Sequence, residues 1–289
     1  MTLMDRVAGA PISWGVCEVP GWGYQLPAST VLAGMRGLGL AATELGPDGF
    51  LPDDPLEKAA VIKAAGLRAV GGFVPVVLHD ESLDPVAQVK GAVEGLAAAG
   101  APVVVLAAVS GRQGYDSRPE LDDAGWSTLT DNLDRVVAYV GDCGLRATLH
   151  PHVGTMVERH DEVQRVLDRS AVSLCLDTGH LLIGGTDPVA LAEQHSGRVA
   201  HVHLKDVDAG WARKVGAGEV SYGDAVAQGL YRPLGQGDVD VARIVRVLEE
   251  ADYTGWYVLE QDMMLDEAAS DDGPLADVRA SIDFLRTLS

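Results

Sequence analysis

Imidazoles, carboxylates and one lysine recur in short clusters, each closing a run of apolar or β-branched residues. Glu44 falls near the end of Ala41–Leu45, and His150 and His152 near the end of Arg146–Val153. Asp177 and His180 stand at the end of Val172–Thr178 and just beyond it. His203, Lys205 and Asp206 finish Val199–Asp206, and Glu260 and Asp262 do the same for Trp256–Gln261. Imidazole nitrogen mixed with carboxylate oxygen suits a divalent first-row metal ion such as Mn, Co, Fe or Zn. Two carboxylates and two histidines around such an ion sum to zero charge and leave it acidic enough to polarise a carbonyl. A single polar residue at a strand end is ordinarily a loop hydrogen-bonder. Five strand ends carrying such groups together point to one shared metal site.

Residues so distant in sequence meet only if the strands that carry them are parallel and share one end. Besides the five runs above, Ala8–Val16, Ala69–Val77 and Val103–Ala108 read as strands, giving eight. Helical spacing lies between them: Val31, Leu32, Met35 and Leu38; Val86, Val89, Val93 and Leu96; Leu129, Leu133, Val136 and Val140. Leu275, Val278, Ile282 and Leu285 repeat it at the end of the chain. Each set makes one apolar stripe, as a helix lying on a sheet requires. Eight β-then-α units without a break in composition predict an α/β fold of one domain over residues 1–289, a (β/α)8 TIM barrel. A doubly wound sheet would want a Gly-rich phosphate loop after the first strand, and Gly15-Val-Cys-Glu is not one. On the seventh strand Ala200, Val202 and Leu204 form one face, and Val199, His201, His203 and Lys205 the other. An inward row that grows polar toward the strand's C-terminal end is where a barrel keeps its chemistry. Residues 208–237, rich in Gly but holding Trp211, Tyr222 and Tyr231, are too long for an ordinary βα loop and read as a long loop or lid.

The 289 residues suit a barrel of about 250 residues plus loops. No apolar run reaches the roughly 18 residues of a membrane span, and the N-terminus lacks the form of a signal peptide. Cys17, Cys143 and Cys175 are odd in number, far apart and free of any CxxC pattern, which fits a reducing cytoplasm. A net charge of −20 repels phosphate backbones and argues against nucleic acid as a partner. Assembly into a homo-oligomer is left open. His79, His160 and His195 fall in loops or helices and read as surface residues. His201 faces inward below His203 and reads as a buried hydrogen-bonding residue, while His152 either touches substrate or is itself a metal ligand. Trp14 reads as a wall of the pocket, with Glu44 and His180 as further substrate-binding candidates.

These residues sit in stretches that resemble the xylose-isomerase-like sugar isomerase and epimerase superfamily of barrels. The stretches are Ala10-Pro-Ile-Ser-Trp-Gly-Val16, Ala42-Thr-Glu-Leu-Gly-Pro-Asp-Gly-Phe50, His150-Pro-His-Val-Gly-Thr155, Leu176-Asp-Thr-Gly-His180, His201-Val-His-Leu-Lys-Asp206, Pro233-Leu-Gly-Gln-Gly-Asp-Val-Asp240 and Gly255-Trp-Tyr-Val-Leu-Glu-Gln-Asp262. Within the superfamily they are most similar to the inosose (2-keto-myo-inositol) dehydratases of inositol catabolism. The resemblance implies a divalent metal held by His150, Asp177, His203 and Glu260, a small polyol-ketone substrate, and contact between His180 and that substrate. Ketose epimerases of the superfamily carry Glu at the first of these positions and pair it with the last Glu, one on each face of the substrate. His150 breaks that pair. The implied reaction is therefore loss of water from an inosose, with Glu260 as base, His152 or His180 as acid, and Lys205 stabilising the oxyanion. The alternative is a metal-dependent isomerase or epimerase of a keto-sugar or keto-inositol. A barrel that only binds its ligand is disfavoured by intact candidate ligands on four strands. An abasic-site nuclease is disfavoured by the charge and by too few ligands for a trinuclear cluster.

Overall fold

The computed structural model describes residues 2–266 and 272–289. In chain order the strands are β1 (Val7–Gly9), β2 (Ala42–Glu44), β3 (Arg68–Gly71), β4 (Phe73–Val76), β5 (Val103–Ala108), β6 (Arg146–Leu149), β7 (Ser173–Asp177), β8 (Val199–Leu204), β9 (Asp206–Val207), β10 (Tyr231–Arg232) and β11 (Tyr257–Leu259). Nine of them form one sheet in the order β3-β2-β1-β11-β8-β7-β6-β5-β4, with every pair parallel. The two strands at the ends of that order, β3 and β4, follow each other in the chain and are separated only by Gly72. Leu45 N donates to Gly71 O (3.1 Å) and Val105 N to Gly72 O (3.0 Å). The two pieces are thus one strand bent at a glycine, and the sheet closes into the expected eight-stranded barrel. At Gly71 a Cβ would come 3.0 Å from Glu44 Oε1, so a side chain there would press on the interior.

The helices are α1 (Ala28–Gly37), α2 (Pro55–Ala64), α3 (Pro85–Ala98), α4 (Asp123–Asp142), α5 (His160–Arg169), α6 (Thr178–Ile183), α7 (Pro188–His195), α8 (Ala209–Gly216), α9 (Tyr222–Ala227), α10 (Val241–Glu250) and α11 (Asp272–Arg286). Several begin with Asp-Pro: Asp54, Asp84 and Asp187 cap the first-turn N–H groups of α2, α3 and α7, and the proline behind each has no N–H to satisfy. The apolar stripes read from the sequence are buried, as with Leu129, Leu133, Val136 and Val140 of α4. They meet outward-facing strand residues such as Val104, Leu106, Leu176 and Val202 in one continuous core. Burial at about 1.5–3 kcal/mol per large side chain makes this layer the main source of stability.

Inside the barrel the side chains are small and then polar. Ala8, Ala10, Ala42, Val70 and Val258 cluster at the floor, as do Val103, Val105 and Cys175. Two residues further along the same strands, with side chains alternating, stand Glu44, Asp177 and Glu260. His150 follows Thr148 and His203 follows His201 in the same way.

Three features differ from the sequence reading. β1 stops at Gly9 instead of reaching Val16, because Pro11 opens a 3-10 turn (Pro11–Trp14) that ends on Gly15 at φ 77°. Residues 208–237 are a folded excursion, with α8, α9 and β10, which pairs antiparallel with β9 just before the excursion. Of the histidines expected at the surface, His160 is exposed, while His79 and His195 are half-buried. Among the described residues no helix is long and apolar enough to cross a membrane.

Candidate active site

The register of β7, β8 and β11 brings the donors together: Asp177 pairs with His203, and His203 with Val258, two residues before Glu260. Asp177 caps α6, its Oδ1 accepting from Gly179 N (2.9 Å) and His180 N (2.8 Å). That leaves Oδ2 facing inward, 3.3 Å from His150 Nε2 and 3.6 Å from His203 Nδ1. Glu260 Oε2 touches His203 Nδ1. The four residues named as ligands from the sequence therefore converge at the mouth of the barrel.

Glu44 lies behind this group. Its Oε1 accepts from His201 Nε2 (2.7 Å) and His203 Nε2 (3.1 Å). A carboxylate only accepts, so His203 Nε2 carries a proton, and Nδ1 is the nitrogen turned toward Asp177 and Glu260. Burial opposes ionisation of Glu44, but the two imidazoles hold its carboxyl well below the usual range. Glu44 also reaches the cavity, yet its hydrogen bonds are used to aim His203, and His201 braces it from below.

A metal ion fits this arrangement. His203 Nδ1 and Glu260 Oε2 are fully buried, in contact, and without a hydrogen-bond partner, as is His150 Nδ1. Despite burial, Cys175, Glu260 and Glu44 hold the His203 ring well above its ordinary range, so the field here favours positive charge. Asp177, His203 and Glu260 present donor atoms within 4.8 Å of one another, and so do His150, Asp177 and His180.

Lys205 continues the inward row and is 1 % exposed. Its Nζ pairs with Asp262 Oδ1 and lies 3.4 Å from Glu260 Oε1 and 3.9 Å from Asp177 Oδ2. Burial works against the ammonium, but Asp262, Glu260 and Asp177 hold it well above the usual lysine range. Thr178 ties the strand ends, its Oγ1 donating to Lys205 O (2.6 Å) and accepting from Lys205 N (2.8 Å). Gly179 is required next, since a Cβ there would meet Lys205 Cβ at 2.7 Å.

His152 lines the cavity. Its Nδ1 donates to Val153 O (2.7 Å), which leaves the Nε2 lone pair free. Burial, and then His150, push the ring down to about 3, so it is neutral at physiological pH. His180 stacks on it at a centroid separation of 3.7 Å, with neither ring nitrogen hydrogen-bonded. Burial keeps His180 neutral as well. His180 is behind His152 and is not part of the cavity lining.

The wall comes from the first half of the chain. Pro11, Ile12, Val16 and Phe73 make it apolar, and Trp22 closes one side. Trp14, expected on this wall, is instead wholly buried with its indole against Gly34 of α1, because the 3-10 turn points it outward from the barrel. Glu18 and Tyr115 join across the rim, where the phenol donates to the carboxylate. Gly154, at φ 75°, lets the Tyr115 backbone approach so closely that a Cβ would lie 2.3 Å from Tyr115 O. Tyr222, Trp22, Phe73, Tyr115 and Glu18 were missed as site residues, and Asp262, named among the polar strand ends, was given no role. Only Asp262, at the end of the last strand and one side-chain period beyond Glu260, carried a signal that sequence reasoning could have used.

The model of the xylose isomerase-like TIM barrel family matches residues 32–288. The inosose dehydratase of Geobacillus kaustophilus (strain HTA426) is 32% identical over 89% of this chain and 87% of its own length. The rhizopine catabolism protein MocC of Rhizobium meliloti is 32% identical over 89% of this chain and 81% of its own. Among solved structures, the 3-keto-D-glucoside 4-epimerase YcjR of E. coli superposes with a TM-score of 0.66 at 18% identity, covering 98% of this chain and 99% of that one. The probable 3-DHS dehydratase AsbF of Bacillus anthracis does so with a TM-score of 0.68 at 12% identity, covering 97% and 98%.

Proposed function

Because the chain belongs to the xylose isomerase-like TIM barrel family, we propose that it is a metal-dependent carbon–oxygen lyase that dehydrates an inosose, a keto-inositol, to a diketone. His150, Asp177, His203 and Glu260 would hold a divalent ion, and that ion, when bound, polarises the substrate ketone.

The reading rests on one observation. Among the described carboxylates of the cavity only Glu260 keeps a buried oxygen without a hydrogen-bond partner. Glu44 is tied to two imidazoles and Asp262 to Lys205 and Tyr222, while Asp177 behind them is tied to the start of α6. The fifth strand offers imidazole in place of a second carboxylate. A site with one carboxylate not committed to bracing an imidazole, to Lys205 and a tyrosine, or to capping a helix suits elimination better than proton transfer on two faces.

Glu260 removes the proton next to the ketone, and Lys205, 3.4 Å from it, steadies the negative charge that develops. The departing hydroxyl needs a proton. The proton that Glu260 has taken up is the one available to leave with it as water, while His152, which lines the cavity just after β6 with a bare Nε2, can accept a hydrogen bond from a substrate hydroxyl and orient it.

The test is incubation of inosose with metal-loaded protein in deuterated water, with products read by mass. Loss of one water is expected. A deuterated isomer of unchanged skeleton, with no dehydrated product, would replace the lyase by an isomerase or epimerase. Glu260→Gln should lower turnover by about a hundred-fold to ten-thousand-fold while sparing much of the metal binding.

A further inference from the structure

Lys205 has a long, flexible stem and a choice of three carboxylates, so something must decide where its ammonium rests. Asp262 decides it locally, with Oδ1 on Lys205 Nζ. The other oxygen of Asp262 accepts from the hydroxyl of Tyr222, on α9 of the excursion. Since that hydroxyl donates to a carboxylate, the 2.8 Å bond between Tyr222 and Tyr231 has Tyr231 as donor. Tyr231, on β10, also places its ring 5.2 Å from Lys205 Nζ. We propose that Tyr222 is a positioning residue: acting through Asp262, it fixes the Lys205 ammonium beside Glu260, so that docking of α9 on the barrel mouth completes the reactive arrangement. The proposal rests on the reading above in taking Lys205 and Glu260 as reacting groups.

The geometry around Tyr222 supports this role. The side chain is 1 % exposed and its backbone N donates to Asp116 Oδ1 (2.8 Å), on the loop that carries Tyr115. Its ring lies 5.7 Å from Tyr115, 5.9 Å from His180 and 6.1 Å from Trp22, centroid to centroid. Phe in its place keeps all of these ring contacts and loses only the hydroxyl. One oxygen of Asp262 is then released, the carboxylate can turn about its side-chain bond, and Lys205 is free to choose Asp177 or Glu260.

Tyr222→Phe should lower kcat about tenfold, the size of one hydrogen bond to a charged group, with KM and metal content unchanged. A purely structural tyrosine would change folded yield and melting temperature without this split. A second readout needs no turnover: the 15N–1H signal of the Lys205 ammonium, identified by its absence from Lys205→Arg, should shift in Tyr222→Phe. Asp262→Asn approaches the same contact from the other side and should shift the same signal. The double variant should be no slower than Asp262→Asn alone, because both act through one contact. The proposal is overturned if folded Tyr222→Phe keeps both its kcat and the Lys205 signal, or if Asp262→Asn leaves that signal in place. If the wild-type protein fails to dehydrate inosose while the signal still shifts in Tyr222→Phe, the functional reading falls and the positioning role stands.

Discussion

Asp206 is a buried carboxylate with no cation within ion-pair distance among the described residues, and replacing it gives a sharp test of how the excursion is held. Its Oδ1 accepts from Val207 N (2.9 Å) and Val239 N (3.0 Å), and its Oδ2 from Gly235 N (2.8 Å) and Gly237 N (2.9 Å). Gly237 is needed at that spot, since a Cβ would fall 2.3 Å from Asp206 Oδ1. One side chain therefore clamps the return of the excursion into α10. Asp206→Asn keeps one accepting oxygen and turns the other into a donor. The remaining oxygen should go to Val207 and Val239, whose residues are buried, while Gly235, which is exposed, and Gly237 turn to water. Two hydrogen bonds to a charged acceptor are lost, at about 1.5–3 kcal/mol each before water compensates, so about 2–4 kcal/mol is expected. Asp206→Ala leaves all four donors without their acceptor and should cost more. The assay is urea unfolding followed by far-UV circular dichroism, paired with limited proteolysis across residues 228–240, where the variant should be cut faster. A stability loss under about 1 kcal/mol for Asp206→Asn, with unchanged cleavage, would refute the clamp.

Two further outcomes follow from the site. Glu44→Gln keeps the shape of the side chain but weakens its hold on His203, so metal affinity should fall about ten- to a hundred-fold, read by competition with a chromogenic chelator; an affinity within twofold of wild type would remove Glu44 from the aiming of His203. Burial, and then Glu18, push the Cys17 thiol up, Cys175 is buried and pushed up to about 11, and Cys143 is exposed. Iodoacetamide at neutral pH should thus label Cys143 first, Cys17 slowly and Cys175 only on unfolding, as read by peptide mass; early labelling of Cys17 would contradict its environment.

The barrel was legible because its signals are local. Short β-rich runs alternate with helical stripes, and the inward row of β8 is polar on one parity only. The donors were legible for the same reason, since each closes a strand, and strand ends converge in a barrel. What escaped depends on contacts across the fold. The bend at Gly72 looked like an uninterrupted strand, because a glycine says nothing by itself about which neighbours pair on either side. The 3-10 turn at Pro11 moved Trp14 out of the pocket and left the wall to Trp22. α8 and α9 have 8 and 6 residues, too short to show a helical period, and their Gly-rich sequence read as loop. Asp206 looked chemical because it sits in a polar motif, yet it is satisfied by backbone groups and holds the frame. Tyr222 and Asp262 are 40 residues apart, and their bond exists only once the excursion has folded back.

The cavity divides its duties along the chain in a way that bears on inheritance. Apart from Glu44, whose work is to brace, the wall and rim come from residues before 116: Pro11, Ile12, Glu18, Trp22, Phe73 and Tyr115. The donor atoms and the imidazole pair all come from residue 150 onward. Between the two sets lies α4, a single long helix on the outside of the barrel. A recombination between related genes that falls within α4 would exchange the cavity wall and leave the donor groups untouched. Wall and donor groups are thus carried on separable lengths of the gene, and the contacts that must match across the join include Glu44 with His201 and His203, Tyr115 with Gly154, and Asp116 with Tyr222.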